Sequence, residues 1–259
     1  MNFKVGDLVS RKSHNHDIVF KIIAFNGNVV QLRGVHVRLC ADANIDDIVE
    51  ATSNVDEDDD IIQRNMKDIE MDRDNYFYIP GKILHIDGDD DYLDRCMKFY
   101  ENMGINANGI SMHESIISSR IVELIKEYRP DIIVITGHDA YYKKKNDKDD
   151  LNNYQNSLNF ISAIKEARKY EKNQDKLIII AGACQSDYEE LIKAGANFAS
   201  SPKRINIHAL DPAIIASSIA FSLKNQSIDL INLIEKTKYG SDGIGGIITN
   251  GTMYVGYPR

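Results

Sequence analysis

Asp131-Ile132-Ile133-Val134-Ile135-Thr136-Gly137-His138-Asp139 is the stretch whose reading decides the fold. A strand with one wet face alternates apolar and polar residues, whereas this one is apolar without interruption and so predicts burial on both faces. Leu177-Ile178-Ile179-Ile180-Ala181 repeats the pattern, and Lys82-Ile83-Leu84-His85-Ile86-Asp87 is a third strand of similar kind. Helical stripes separate them. Leu93, Cys96, Met97 and Tyr100 share one face over Tyr92 to Met103, and Ile117, Ile121, Leu124, Ile125 and Tyr128 share another before Pro130. A further strand is expected over Asn108 to Met112, a short one over Asn197 to Ser200, and helices over 158–170, 188–194, 213–223 and 228–237. Alternating strands and helices with doubly buried strands predict an α/β fold, a mostly parallel sheet with flanking helices. At the C-terminus, Ile247 to Val255 predicts a hairpin turning at Asn250-Gly251.

Outward from this block the character changes. Residues 1–50 carry short apolar runs separated by turn residues, including Ile18 to Ile23, Val29 to Leu32 and Val35-His36-Val37-Arg38-Leu39. They predict a small SH3-like β-barrel. Residues 51–75 read as an acidic linker, because Asp56-Glu57-Asp58-Asp59-Asp60 is a like-charge block, with a short helix near Ile61 to Met71. The α/β domain then runs over 76–259.

The 259 residues carry a formal charge of -8 and no tryptophan. An acidic balance without a basic stripe argues against nucleic acid as a partner. Apolar runs are far shorter than a membrane span needs, and the N-terminus lacks the apolar centre of a signal peptide, so a cytoplasmic protein is expected. Three cysteines at 40, 96 and 184 form neither a disulfide framework nor a CxxC pair. A zinc site assembled from His14, His16, His36 and Cys40 fits no compact spacing. No phosphate loop or dinucleotide fingerprint is present, so neither a metal nor another cofactor is expected.

Parallel sheets place chemistry beyond the carboxyl ends of their strands. The segments there are Asp87-Gly88-Asp89-Asp90-Asp91, Gly137-His138-Asp139 and Gly182-Ala183-Cys184-Gln185-Ser186. They share one rim if their three strands lie near the sheet centre. A thiol and an imidazole on one rim make a nucleophile and base, Cys184 and His138. The neighbouring glycines would let a substrate backbone approach. Cys184 is expected to open a helix, whose free N–H groups favour negative charge. The backbone N–H groups of Asp139 and Cys184 are the expected oxyanion donors. Asp87, Asp89 and Asp187 are candidates for a pocket that binds a cationic side chain. Cys96, on an apolar stripe, reads as core.

These segments, with Ala194 to Pro202, Arg204-Ile205-Asn206-Ile207-His208-Ala209-Leu210-Asp211-Pro212 and the opening Val5 to Ser13, resemble the YabG family, peptidase family U57. The resemblance spans nearly the whole chain and is weakest in the linker. It implies a sporulation-specific cysteine endopeptidase of the mother cell that processes spore coat and germination proteins, cleaves after Arg and processes itself, with His138 and Cys184 as the catalytic pair. A more distant similarity to the caspase-like peptidases implies a caspase-like or flavodoxin-like sheet with His and Cys after adjacent parallel strands. Ala183-Cys184 keeps their pattern, while His138-Asp139 departs from their His-Gly. Protein substrates are the expected partners, with Arg64 and Arg73 in the linker the expected autocleavage points. The alternative is a non-enzymatic α/β binding module of receiver-like type, which would want an aspartate where Gly137-His138 stands.

Overall fold

A computed structural model describes residues 3–52, 57–67, 71–72, 74–142 and 151–258. The N-terminal part is a five-stranded antiparallel sheet in the order β4-β3-β2-β1-β5. Its strands are β1 (Leu8–Arg11), β2 (Phe20–Asn26), β3 (Val29–Gly34), β4 (Cys40–Asn44) and β5 (Ile48–Glu50). Val9, Phe20, Ile22, Val30, Leu32, Ala43 and Ile48 form its own core. Val35 to Leu39 is not a strand of this sheet. Arg33 pairs with Cys40 across β3 and β4, so the residues between them leave as an excursion.

Helix α1 (Glu57–Lys67) follows. It begins at the acidic block, which sequence reading assigned to solvated linker. Four acids in the first turn suit the positive end of the helix dipole. Asp58 pairs with Arg95 at 2.7 and 2.8 Å, and Ile61 and Ile62 enter the main core.

The α/β part contains β6 (Phe77–Ile79), β7 (Ile83–Asp87), α2 (Asp90–Asn102), β8 (Ala107–Ser111), α3 (Glu114–Tyr128), β9 (Ile132–Thr136), α4 (Ser157–Tyr170), β10 (Ile178–Ala181), α5 (Tyr188–Ala194), β11 (Phe198–Ser200), α6 (Asp211–Ala220), α7 (Leu230–Glu235), α8 (Gly240–Gly243), β12 (Ile244–Gly246) and β13 (Tyr254–Gly256). Six strands form one sheet in the order β12-β11-β10-β9-β7-β8, parallel except for β12 at one edge. The α/β class and the mostly parallel sheet therefore match the expectation. Every residue of β7, β9 and β10 is buried, as their apolar runs require. Residues of α2, α6 and α7 pack on one face of the sheet, and those of α3, α4 and α5 on the other. Each fully buried Ile or Phe in these layers contributes about 1.5–3 kcal/mol of transfer free energy.

The expected C-terminal hairpin does not form. Before the turn, Ile247 N–H donates to the Asn197 carbonyl at 2.8 Å and the Thr249 carbonyl accepts from Ile228 N–H at 3.0 Å, while beyond it Tyr254–Gly256 pairs with β6 in a separate two-stranded sheet. An Asn-Gly turn makes a hairpin only where its flanks pair with each other. Here each flank meets another edge, and Gly251 lies so close to the chain that a Cβ would stand 2.2 Å from the Ser222 carbonyl oxygen.

Candidate functional site

Because β10, β9 and β7 are neighbours, the segments that follow them meet on one rim. Gly182 has φ +103°, and an added Cβ would stand 2.8 Å from Leu191 Cδ1. Gln185 is also left-handed at φ 58°, so the chain turns sharply around Ala183 and Cys184. Helix α5 starts only at Tyr188, capped by the Asp187 carboxylate, which accepts from Glu190 N–H at 3.2 Å. Cys184 therefore sits in a tight turn, not at a helix start, because the cap forms at the first residue whose side chain reaches the free N–H groups. Asp187 is engaged as that cap, and its N–H donates to Ser157 Oγ at 2.9 Å.

Cys184 is wholly buried. Its Sγ accepts from the backbone N–H of Ile207 at 3.3 Å and lies within reach of the Arg38 backbone N–H. Burial pushes the thiol up to about 12, against smaller lowering effects of those N–H groups and the Arg38 charge. At neutral pH the sulfur in this arrangement is a thiol, and the thiolate is the nucleophilic form.

His138 is held from every side. Its N–H donates to Glu114 Oε1 at 2.8 Å, and its carbonyl accepts from Asn156 Nδ2 at 2.8 Å. Its Nε2 stands 2.9 Å from Asp89 Oδ2 and 3.6 Å from Cys40 Sγ. Burial by itself lowers the imidazole, but hydrogen bonds to Asp89 and Cys40 and their charge outweigh it and raise it to about 10. Tyr92 packs edge-on against the ring at 5.9 Å between centroids.

The glycines on this rim admit the protein's own side chains. A Cβ on Gly88 or Gly137 would lie 2.3 Å from Glu114 Oε1. Glu114, buried at the start of α3, is thus the carboxylate around which the first and third loops close. Sequence reading passed it over because it followed the loops after the first, third and fourth strands only; the same rim logic applied to the loop after β8 would have found it.

Asp139 ties the loops together through its side chain. Its carboxylate accepts from Ala140 N–H at 2.9 Å, Asn156 N–H at 2.8 Å, Ser157 Oγ at 2.5 Å and Ser186 Oγ at 2.9 Å. Burial raises its pKa, and those hydrogen bonds oppose the rise. An aspartate after His138 thus joins the His138 loop to the Cys184 loop.

The three candidate acids part company. Asp89 caps α2, accepting from Asp91 and Tyr92 N–H at 3.0 and 3.2 Å, and faces His138 and Arg33. Asp187 caps α5. Asp87, fully buried at the end of β7, holds a guanidinium, that of Arg38. Arg38 Nη1 donates to Oδ1 at 3.1 Å and Nη2 to Oδ2, while Thr136 Oγ1 donates to Oδ2 at 2.8 Å. Burial would raise Asp87, but the Arg38 charge and hydrogen bonds from His85 and Arg38 hold it far below the usual carboxylate range. The guanidinium lies over the Tyr92 ring at 5.0 Å, and Arg38 Nε donates to the Ala209 carbonyl at 3.3 Å. Cys96 Sγ stands 3.9 Å from Nη2, so this core cysteine also lines the pocket.

The segment between β11 and α6 completes the rim. Gln185 N–H donates to the Ile205 carbonyl at 3.1 Å and its Nε2 to Asn206 Oδ1 at 3.2 Å. His208 is buried, its Nδ1 accepting from Leu210 N–H at 3.2 Å.

The histidines weighed together for zinc do not assemble. His16 bonds Ser10 and His14 bonds Ser13. His36 lies with Glu57 and His208, and Cys40 with Asp89 and His138. Arg64 is exposed on α1, its Nε donating to the Asp60 carbonyl at 3.3 Å, so it belongs to a helix and not to an extended linker. Arg73 lies outside the described residues. No helix among the described residues is long and apolar enough to cross a membrane.

The model of the YabG peptidase U57 family matches residues 4–258. The sporulation-specific protease YabG of Bacillus subtilis (strain 168) is 40% identical over 286 residues, covering 100% of this chain and 99% of that protein. The chain belongs to the YabG peptidase family, and is a sporulation protease by that membership. Among solved structures, a putative two-component system response regulator/GGDEF domain protein is similar over 46% of this chain and 41% of its own, with a TM-score of 0.31 and 15% identity. A second, described as a probable protein of the same kind, also has a TM-score of 0.31 at 15% identity, over 45% of this chain and 40% of its own. Similarity at that level carries no structural argument.

Proposed function

We propose that this peptidase is a cysteine endopeptidase that cleaves after Arg, with Cys184 as nucleophile and His138 as base. The observation that carries this reading is the buried carboxylate of Asp87, which engages a guanidinium through both oxygens, that of Arg38, whose backbone N–H lies within reach of the Cys184 sulfur. A forked pair of this kind suits Arg better than Lys, whose ammonium is a point charge. The Tyr92 face and the Ala209 carbonyl favour the same planar cation.

In the mechanism, reaction starts from the neutral imidazole, the form that the Asp89 and Cys40 contacts disfavour in this arrangement; from it His138 takes the thiol proton while Cys184 Sγ attacks the carbonyl carbon after the arginine. The backbone N–H groups of Asp139 and Cys184 receive the developing oxyanion. His138 then protonates the leaving amine, and water hydrolyses the thioester to a carboxylate and the free thiol. Glu114 and Asn156 hold the His138 backbone, and Asp89 orients the ring through Nε2.

We further read the N-terminal sheet over 1–50 as an SH3-like barrel and 76–259 as a caspase-like domain, joined by the acidic segment 51–75. Spore coat and germination-related proteins are the proposed substrates. The mother-cell cytoplasm, with association to the coat, is the proposed location. Self-cleavage is part of the reading. The test is mass spectrometry of an Arg-containing peptide incubated with the purified full chain and with Cys184→Ala. Cleavage after Arg by the wild type only is expected. Equal cleavage by both proteins would remove Cys184 from the mechanism.

A further inference from the structure

The guanidinium in the Asp87 pocket belongs to the chain itself, and the backbone that carries it is laid across the rim. Val37 forms an antiparallel bridge with His208. Ala209 N–H donates to the His36 carbonyl at 3.0 Å, and Arg38 N–H donates to the Ile207 carbonyl at 3.1 Å. Strand addition of this kind is how a cleft holds an extended peptide, with main-chain hydrogen bonds giving affinity and a side-chain pocket giving selectivity. Both elements are present here, for Arg38 is only 1% exposed and its charge is fully engaged.

Residues on either side are also fixed. Tyr92 Oη donates to the Gly34 and Val37 carbonyls at 2.8 and 2.9 Å, and Arg95 Nη1 donates to the Val35 carbonyl at 2.5 Å. The Arg38 N–H lies at the Cys184 sulfur, and two residues later Cys40 Sγ lies 3.6 Å from His138 Nε2. Along the chain the Arg38–Leu39 peptide bond is therefore flanked by a contact to the thiol on its N-terminal side and a contact to the imidazole on its C-terminal side. A salt bridge serving only to glue two sheets together would need neither the backbone ladder nor this bracketing of one bond.

We infer that His36-Val37-Arg38-Leu39 occupies the substrate cleft of its own chain as a substrate does, so that the N-terminal sheet is an intramolecular inhibitor and Arg38–Leu39 is the bond whose hydrolysis opens the cleft. This rests on the cysteine-peptidase reading above. The excursion is anchored at Arg33 and Cys40 in adjacent strands, so the occupant arrives tethered. Hydrolysis follows the general scheme. Cys184 Sγ bonds to the Arg38 carbonyl carbon and the Leu39 nitrogen leaves with a proton from His138. Water then releases Arg38 as a carboxylate and restores the thiol. The chain turns at Arg38, where the Leu39 N–H donates to the Val37 carbonyl at 2.8 Å and turns the Arg38 carbonyl outward from the Val37–His208 bridge, so the expected cut moves from Arg64, which is helical, to Arg38, whose side chain fills the Asp87 pocket.

The experiment uses the full chain as wild type, Cys184→Ala and Arg38→Ala, with a fluorogenic peptide amide whose last residue is arginine. Intact-mass analysis during incubation is expected to show the wild type splitting into 1–38 and 39–259 while Cys184→Ala stays whole. Arg38→Ala is expected to remain uncut at 38 and to hydrolyse the probe without a lag. Its initial rate should exceed that of the uncut wild type by about tenfold or more, because a tethered competitor acts at an effective concentration of about millimolar. Probe hydrolysis at full rate by wild type whose 38–39 bond stays intact, or cleavage at another site only, would overturn the inference and leave the peptidase reading standing. Failure of wild type and Arg38→Ala alike to cut either the probe or the chain would overturn both. The wild-type masses need no variant, so a poorly folded Arg38→Ala still leaves the cut site decided.

Discussion

Replacing Asp89 by Asn in a Cys184→Ala background tests the electrostatics of the His138 site without self-cleavage. Asn is as good an N-cap as Asp, so the start of α2 is retained. The change removes the carboxylate charge 2.9 Å from His138 Nε2. Burial lowers the imidazole, and Asp89 is the leading group that raises it to about 10 with Cys40 second, so the substitution should bring His138 well down toward its ordinary value of about 6.5. Imidazole resonances followed by NMR against pH read this directly. Stability should follow with a definite sign. A group whose folded pKa exceeds its unfolded value stabilises fully below the unfolded value and loses that contribution as pH rises through the folded one. The His138–Asp89 pair therefore contributes below about pH 6.5 and loses its contribution by about pH 10. A rise of that size corresponds to at most about 5 kcal/mol, a large part of the 5–15 kcal/mol typical of a domain. Urea midpoints of the Cys184→Ala protein should fall across this window, and those of the double variant should change much less. His138 titrating near 6.5 in both proteins would refute the reasoning.

Two further outcomes follow from the geometry. Glu114→Gln removes the charged acceptor of the His138 N–H and should lower kcat by about 10- to 100-fold with little change in KM, since small misplacements of a catalytic group have effects of that order. A matching fall in folded fraction, measured by circular dichroism, would assign Glu114 to stability instead. Gly182→Ala forces a side chain into φ +103° and against Leu191, and should cost about 1–3 kcal/mol in urea unfolding while slowing peptide cleavage. An unchanged midpoint would show that the turn before Cys184 relaxes freely.

Much of the scaffold is written in short-range pattern. Uninterrupted apolar runs at 132–135 and 178–181 can be satisfied only by burial on both faces, so a parallel sheet covered by helices follows from the sequence. Positions after those strands fall on one rim by topology, which is why His138 and Cys184 could be singled out together. Local pattern failed where a segment's partner is remote. Val35 to Leu39 has strand-like alternation, but its partner is the 207–209 segment and not its own sheet. Asn250-Gly251 is a hairpin signal whose two flanks bond elsewhere, Ile247 and Thr249 to Asn197 and Ile228, and Tyr254–Gly256 to β6. Which of Asp87, Asp89 and Asp187 meets a guanidinium is likewise invisible in composition. All three end strands or start helices, and only the depth of each in the fold separates a helix cap from a buried pocket. Apolar periodicity is a local consequence of burial and is therefore legible residue by residue. The placing of Arg38 against Asp87, or of Glu114 beneath Gly88 and Gly137, depends on closing loops of tens of residues, and the tertiary structure alone decides it.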